Sequence, residues 1–224
     1  EEIVPMSRLR QTIARRLKEA QNTAAMLTTF NDVDMSAVMS LRKSHQDAFV
    51  KKYGIKLGFM SFFAKACIAA LQELPAVNAE IYGTDLIYKN YYNIGVAVGT
   101  ENGLVVPVIR DADRMGFAQI ESTIADFGKR ARDGKLSMAE MSGGTFTISN
   151  LGMFGVSSFV SILPPGQGAI MAVAASTPTA VLQKNGMIGM VKQMTVTLTC
   201  DHRHIYGADA AKFLKDLADL IEND

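Results

Sequence analysis

The stretch that decides the fold reads Met194-Thr195-Val196-Thr197-Leu198-Thr199-Cys200-Asp201-His202-Arg203-His204-Ile205-Tyr206-Gly207-Ala208-Asp209. Its first half alternates β-branched or apolar residues, which predicts a strand ending near Cys200. Apolar residues then recur at helical spacing from Ala210 to Ile221, which predicts a helix. The segment between them carries two of the chain's three histidines. Because the unperturbed pKa of imidazole lies near neutrality, His202 at the strand end is a candidate acid–base residue.

Strand and helix patterns alternate along the rest of the chain. Ser7 and Ser36 are placed to cap helices, and Gly54 and Gly134 to end them. Helices are predicted at residues 7–25, 36–52, 59–74 and 117 to about 134. Strands are predicted at residues 27–35, 79–82, 86–88, 93–98, 104–109, 145–149 and 169–175, with hairpin turns at 83–85, 100–103 and 185–186. No repeat or low-complexity linker interrupts this order, so residues 1–224 are predicted to form a single α+β domain.

The composition is that of an ordinary globular protein. Apolar residues make up 48% of the chain and charged residues 20%, which are the fractions of a soluble domain. The formal net charge of +1 provides no general attraction to nucleic acid or to an anionic membrane, so neither partner is expected. The most apolar predicted helix contains Lys65 and is too short to span a bilayer.

The cysteines and the amino-terminal residues indicate in which cellular compartment the protein is expected. The two cysteines, Cys67 and Cys200, lie in apolar patterns, which indicates buried thiols in a reducing compartment. No secretory signal is visible at the start of the sequence, while an organelle signal removed from a precursor stays open. A bacterial cytoplasm or an organelle interior, mitochondrial matrix or plastid stroma, is therefore expected.

Several other chemistries lack their motifs. The sequence contains no Walker phosphate loop, no Cys-x-x-Cys, no His-Glu-x-x-His and no Gly-x-Ser-x-Gly. A metal site is the sharper alternative, because Cys200, His202 and His204 would share one face if the strand continued through them. No further histidine or cysteine spacing supports it, so no metal is predicted. Surface or structurally satisfied histidines are the plainer alternative.

Four motifs together resemble a known family. They are Pro5-Met6-Ser7-Arg8-Leu9-Arg10 with Ile13-Ala14-Arg15-Arg16-Leu17, then Asn102-Gly103-Leu104-Val105-Val106-Pro107-Val108, Gly143-Gly144-Thr145-Phe146-Thr147-Ile148-Ser149-Asn150, and Asp201-His202-Arg203. In this order, over almost all of the chain, they resemble the catalytic domain of the dihydrolipoamide acyltransferases, the core components of 2-oxo acid dehydrogenase complexes. The resemblance implies a chloramphenicol acetyltransferase-like α+β fold, with a central mixed β-sheet flanked by helices, in a trimer.

The resemblance also implies a reaction and the residues for it. An acyl group moves between the sulfur of dihydrolipoamide and the sulfur of coenzyme A, which is a substrate. His202 matches the family base, and Ser149 matches the hydroxyl that stabilises the tetrahedral oxyanion. For Ser149 the alternative is a turn-capping hydroxyl. Asp201, Arg203 and Asn150 are expected to support these two residues.

Tyr206 departs from the family pattern Asp-His-Arg-x-x-Asp-Gly, because it stands where the second aspartate is usual. A phenol can orient a neighbour by a hydrogen bond but carries no charge near neutral pH. We therefore expect Tyr206 to give geometric support only. The departure keeps open an alternative class, a structural scaffold with an impaired site. A free acetyltransferase of the chloramphenicol-modifying type is a third alternative, which the motifs match poorly.

Different segments of the sequence point to different acyl groups. Residues 27–35 and 74–80 resemble succinyltransferases, whereas residues 163–173 and 204–209 resemble plastid-type acetyltransferases. Ala174 stands where succinyltransferases often have a histidine that could meet the distal carboxylate. Because an unpaired carboxylate is costly to desolvate, acetyl transfer, as in a pyruvate dehydrogenase complex, is slightly favoured.

The resemblance further implies the assembly and the partners. Family members usually build the active site at a trimer interface, with the histidine from one subunit and the hydroxyl from its neighbour. Cages of trimers assemble through an apolar carboxy-terminal segment, and the sequence ends at Asp224 before it, so cage assembly is expected to be weakened. Lipoyl and partner-binding domains are expected to be absent, so a separate domain would supply the lipoyl group, and other subunits of the complex would bind the full-length protein.

Overall fold

A computed structural model of the protein describes residues 1–100, 103–182 and 186–223. The helices of this described part are α1 (Arg8–Thr23), α2 (Ser36–Tyr53), α3 (Met60–Glu73), α4 (Phe117–Arg132) and α5 (Gly207–Asn223). Its strands are β1 (Met26–Asp34), β2 (Ala79–Tyr82), β3 (Asp85–Tyr88), β4 (Ile94–Val96), β5 (Val98–Thr100), β6 (Gly103–Val105), β7 (Val108–Ile109), β8 (Phe146–Asn150), β9 (Ala169–Leu182) and β10 (Ile188–Asp201). Short 3₁₀ turns lie between several of these elements.

The centre of the molecule is a six-stranded sheet in the order β1-β10-β9-β8-β4-β7. Strand β10 runs antiparallel to β1 and to β9, whereas β8 runs parallel to β9 and to β4. The pair β2–β3 and the pair β5–β6 form two separate hairpins. The sheet is therefore mixed, and the predicted α+β fold with a central mixed sheet flanked by helices is confirmed.

The core lies where α3 and α5 pack together and α5 packs on β1 and β10. The periodic apolar residues of α5 are buried there, and the ring centroids of Phe213 and of Phe146 in β8 are 5.6 Å apart. Burying such a face contributes about 25 cal/mol for each Å² of apolar surface. This packing holds the strand end of β10 and the start of α5 in place. In the described part of the chain, no helix combines the length and the apolar character needed to cross a membrane.

The predicted helix starts differ in their outcome. Ser7 caps α1 as predicted, since its hydroxyl accepts a hydrogen bond from the backbone N–H of Arg10 at 3.3 Å. The prediction for Ser36 is wrong, because Ser36 is already the first residue of α2. The carboxylate of Asp34 accepts the Ser36 backbone N–H at 2.9 Å instead. Asp34, two residues before Ser36, thus satisfies a backbone N–H that the helix itself leaves without a partner.

The hairpin predicted across residues 93–109 is divided into two pairs. Strand β4 pairs with β7, and β5 pairs with β6 beyond them. Pro107 lies between β6 and β7 and has no N–H to give to a ladder, although its carbonyl accepts from Val96 at 2.9 Å. The backbone N–H of Ala97 turns to the carbonyl of Ile148 in β8. The predicted turn residues Glu101, Asn102 and Asn185 lie outside the described residues.

Strand β9 is longer than its predicted span of 169–175. Its first part has β8 on one side and β10 on the other, but β8 pairs with it only as far as Val173. The rest pairs with β10 alone as far as Leu182. Pro178 is tolerated there because its missing N–H faces no second strand.

Candidate active site

The turn after β10 is built by backbone hydrogen bonds around Asp201. The carbonyl of Asp201 accepts from the N–H of His204 at 3.2 Å and from that of Ile205 at 3.0 Å. The N–H of His202 donates to the carbonyl of Ala25 at 2.8 Å, which ties the turn to the start of β1. These bonds present His202 on the surface at the end of the central sheet.

One hydrogen bond sets the tautomer of His202. Its Nδ1 lies 2.9 Å from the carbonyl oxygen of Ile205. A carbonyl only accepts, so Nδ1 carries the proton in the neutral ring and Nε2 keeps its lone pair. His202 is therefore oriented to take a proton through Nε2.

Asp201 and Arg203 form a closed pair beneath this turn. The guanidinium of Arg203 donates from Nε to both carboxylate oxygens of Asp201, at 3.0 and 3.1 Å, and from an Nη at 2.6 Å. The backbone N–H groups of Arg203 and Ala25 also donate to this carboxylate. Burial alone raises the pKa of Asp201, but the bonds from Arg203 and Ala25 outweigh it and hold the pKa below its usual range. The Asp201 carboxylate therefore stays ionised and holds the turn in place, and it does not serve to transfer a proton.

Tyr206 is 65% exposed, and its ring meets that of His202 edge-on, with 6.3 Å between the centroids. Its backbone N–H donates to the Asp209 carboxylate at 3.1 Å, at the start of α5. The phenol thus lies beside the imidazole.

Ser149 lies in β8, opposite Ala172 of β9, and is half-buried. The carboxamide oxygen of Asn150, not the serine hydroxyl, accepts the N–H of Gly152 at 2.8 Å and closes the following turn. No hydrogen bond to the Ser149 hydroxyl is found among residues 1–100, 103–182 and 186–223. The hydroxyl is therefore available to a bound molecule.

The register places Ser149 and His202 far apart within one chain. Ser149 is level with Ala172, which is level with Thr197 of β10, and His202 lies five residues beyond Thr197. At about 3.3 Å per residue and about 4.8 Å per strand, their Cα atoms are roughly 19 Å apart. The structure therefore joins His202 to Asp201, Arg203 and Tyr206, and Ser149 to Asn150, as two separate groups.

The three residues considered for a metal do not converge. Strand β10 ends at Asp201, so Cys200 points into the core while His202 is exposed on the turn. Burial, with the Asp201 and Asp209 carboxylates adding to it, raises the pKa of Cys200 to about 11. Among the described residues, no group of three histidine, cysteine, aspartate or glutamate side chains is arranged to hold a metal ion.

A cavity of about 290 Å³ adjoins the turn. Its lining comes from α1, from β2, from residues 163–167 and from the turn itself, including Asp201, Arg203 and His204. His204 was considered only as a metal ligand and was not predicted as a site residue, although its position two residues after His202 could have marked it. A larger apolar cavity of about 550 Å³ lies between α2, α3 and α5, and none of the predicted site residues lines it.

Gly168 is expected to tolerate no side chain. A Cβ there would stand 2.5 Å from the carbonyl oxygen of Ala79 and 2.9 Å from that of Val77. Because both contacts are backbone, Gly168→Ala is expected to lower the free energy of unfolding by about 1–3 kcal/mol, measured by urea titration. Gly99→Ala is the matched control, since a Cβ at Gly99 meets nothing within 4 Å. Equal stability of the two variants would contradict the expected clash.

Comparison with known proteins finds matches over the whole chain. The family profile described as 2-oxoacid dehydrogenases acyltransferase (catalytic domain) matches residues 1–224. A succinyltransferase component of the 2-oxoglutarate dehydrogenase complex of Rickettsia bellii is 57% identical over 99% of the chain and 55% of its own length. The chain spans about half the length of the curated relatives it matches.

Solved structures agree with this match. The cubic core of the pyruvate dehydrogenase multienzyme complex has a TM-score of 0.95 at 36% identity, over 100% of the chain and 92% of its own. Azotobacter vinelandii dihydrolipoamide acetyltransferase, studied for a serine, a histidine and an asparagine in its catalytic mechanism, has a TM-score of 0.95 at 35% identity, with the same coverage. Chloramphenicol acetyltransferase, with a TM-score of 0.57 at 14% identity over 93% of this chain and 94% of its own, shares the fold.

Proposed function

The chain belongs to the 2-oxoacid dehydrogenase acyltransferase family, and on this premise we propose that it transfers an acyl group between dihydrolipoamide and coenzyme A. The observation that carries the proposal is the bond from His202 Nδ1 to the Ile205 carbonyl, which leaves Nε2 as a base on an exposed turn. Both substrates react through a thiol, and a neutral thiol needs such a base near neutral pH.

The reaction proceeds by attack of one sulfur on the thioester of the other. His202 Nε2 takes the proton of the incoming thiol as its sulfur bonds to the acyl carbon. The resulting tetrahedral oxyanion accepts a hydrogen bond from the Ser149 hydroxyl. The bond to the second sulfur then breaks, and the departing thiolate takes the proton back from His202. The acyl group has moved and His202 is again neutral.

The separation of the two residues within one chain supports a site shared between two chains. The separation of Ser149 and His202 within one chain, roughly 19 Å, is several times the reach of a hydrogen bond of about 3 Å. We propose that the histidine of one subunit meets the serine of its neighbour, as in a trimer.

The other predicted residues act through these two. Asp201 and Arg203 hold the turn, and Asn150 closes the turn after Ser149. In the Azotobacter vinelandii enzyme the asparagine named with the histidine lies four residues after it. Tyr206 lies four residues after His202 and meets it edge-on, which supports a geometric role for Tyr206.

The acyl group is proposed to be succinyl. The slight preference for acetyl is not supported, because the Rickettsia bellii relative and other curated relatives of 49–56% identity are named as succinyltransferases. The absence of a histidine at position 174 therefore does not argue against succinyl transfer, since another cationic or polar group can meet the distal carboxylate. A place in a 2-oxoglutarate dehydrogenase complex follows, in preference to a pyruvate dehydrogenase complex.

Succinyl-coenzyme A is expected to react with dihydrolipoamide at least about tenfold faster than acetyl-coenzyme A. A site that pairs the distal carboxylate is left with unpaired polar groups when acetyl takes its place. The two thioester products are followed by mass spectrometry under identical conditions. A faster acetyl reaction would reverse the assignment, and transfer of neither group would support the scaffold alternative that Tyr206 leaves open.

The wider assembly is proposed on the same premise. Trimers are expected to be the unit, and a higher-order cage is proposed by analogy with the cubic core of the pyruvate dehydrogenase complex. A separate domain would carry the lipoyl group to the site, and residues 1–224 would serve as the catalytic domain. The compartment, bacterial cytoplasm or organelle interior, stays a prediction.

A further inference from the structure

His204 is buried with little hydrogen bonding. The residue is 9% exposed, and among residues 1–100, 103–182 and 186–223 its two ring nitrogens have no well-formed hydrogen bond, although the backbone of Ala79 interacts favourably with the protonated ring. Burying polar atoms in this way is unfavourable, and an apolar side chain would avoid the penalty. By contrast, the exposed His202 has its Nδ1 satisfied.

The ring of His204 contacts the backbone that holds the turn after β10, residues 201–206, here called the catalytic turn. Its Nε2 lies against Gly168, where an added Cβ would stand 3.0 Å away. The carbonyl of Gly168 accepts the N–H of Asp201 at 2.9 Å, and the carbonyl of Asp201 accepts the N–H of His204. The next residue, Ile205, orients His202. A shift of the His204 ring is therefore transmitted to His202 through bonded neighbours.

Charged groups from several elements surround this ring. Asp201 and Arg203 of the turn act on it electrostatically. Glu80 of β2, paired with Lys89, and Glu19 of α1 line the same cavity. A neutral ring leaves these groups undisturbed. A protonated ring brings a charge and a second N–H donor next to Asp201, whose carboxylate Arg203 and Ala25 already occupy.

We propose that His204 is a positioning residue for His202 and holds the catalytic turn in place only while its ring is neutral. Protonation draws the Asp201 carboxylate from Arg203 toward the imidazolium and loosens the turn. The inference rests on the proposed acyl transfer, and it adds a second proton that inactivates the site in acid.

The environment keeps this ring neutral at pH 7. Burial lowers the pKa of His204 below its ordinary value and outweighs the charge of Asp201 and a hydrogen bond with the backbone of Ala79, which both raise this pKa. The charge of Arg203 adds to the lowering. Since the folded pKa is the lower one, the stability due to the neutral ring is present above the unfolded value near 6.5. It is lost as pH falls through the folded pKa.

The pH dependence of acyl transfer tests the proposal. In the wild-type protein, the acid limb of log rate against pH is expected to become steeper by one unit of slope than in His204→Phe, because protonation of His204 adds to the other protonations that lower the rate. His204→Phe fills a similar volume without titrating, so this added slope is absent from the variant. One pH unit below the His204 pKa, the wild-type protein loses about tenfold more activity than the variant. His45→Phe, at an exposed position on α2, keeps the wild-type slope.

Histidine NMR separates this inference from the proposed function, because it requires no acyl transfer. The chain has three histidines, so the ring signals can be assigned by substitution. The His202 signals are expected to show an inflection at the pKa of His204 in the wild-type protein and none at that pH in His204→Phe. Should that variant not fold, His204→Gln replaces it. Absence of this inflection from the wild-type protein, or its presence in the variant, overturns the role of His204. Coupled titration without any transfer of acetyl or succinyl groups supports that role and contradicts the proposed function.

Discussion

Replacing His202 by alanine is expected to lower the rate of acyl transfer about 10²- to 10⁴-fold, the usual contribution of a positioned general base. The variant loses the Nε2 lone pair that the bond from Nδ1 to Ile205 holds in one orientation. The turn itself is closed by backbone bonds to Asp201 and Ala25, so the fold is expected to survive. Initial rates with dihydrolipoamide and succinyl-coenzyme A measure the loss.

His45→Ala is the matched control for this substitution. His45 is exposed on α2 and bonds within its own helix, to the carbonyl of Leu41. The control is expected to keep the wild-type rate. A His202→Ala protein that transfers acyl groups at the wild-type rate, with an unchanged circular dichroism spectrum, would remove His202 as the base.

Replacing Ser149 by alanine is expected to lower the rate about 10²- to 10³-fold, as loss of one oxyanion donor does. The hydroxyl makes no bond within the described residues, so its removal leaves no polar group unpaired there. The Michaelis constants are expected to change less than the turnover number, because the oxyanion exists only in the transition state and the intermediate. An unchanged turnover number would leave Ser149 with a structural role alone.

Coexpression of His202→Ala and Ser149→Ala chains in equal amounts tests the two-chain site. If each site takes its histidine from one subunit and its serine from the next, random mixing is expected to restore about a quarter of the wild-type activity. Each variant expressed alone is the control. A mixture no more active than the single variants would contradict the two-chain site.

Local patterns predicted the elements that carry the site. The alternation before Cys200 and the helical period after Ala210 correspond to β10 and α5. The division of the hairpin at Pro107 and the long extension of β9 were missed, because both depend on which strands lie alongside. Propensity describes neighbours in sequence, whereas pairing is decided by partners far along the chain.

The site shows the same division. The strand end and the chemistry of imidazole singled out His202, the family resemblance singled out Ser149, and the roles of both stay predictions. The tautomer of His202 could not be predicted, since it depends on the carbonyl of Ile205. Nor could the burial of His204, since a turn carries no regular alternation of inner and outer faces. Strand register showed the separation of Ser149 from His202 only once all three strands were aligned.

The register of the central sheet also distinguishes the folding of one chain from the association of two chains. Folding of one chain brings β8, β9 and β10 into register, yet in the proposed two-chain site each chain then supplies only half of the reacting groups. The other half would come from association with a second chain, which follows mass action while folding does not. On this proposal a chain can be native in every strand and still be inactive, and its specific activity is expected to depend on protein concentration as well as on structure.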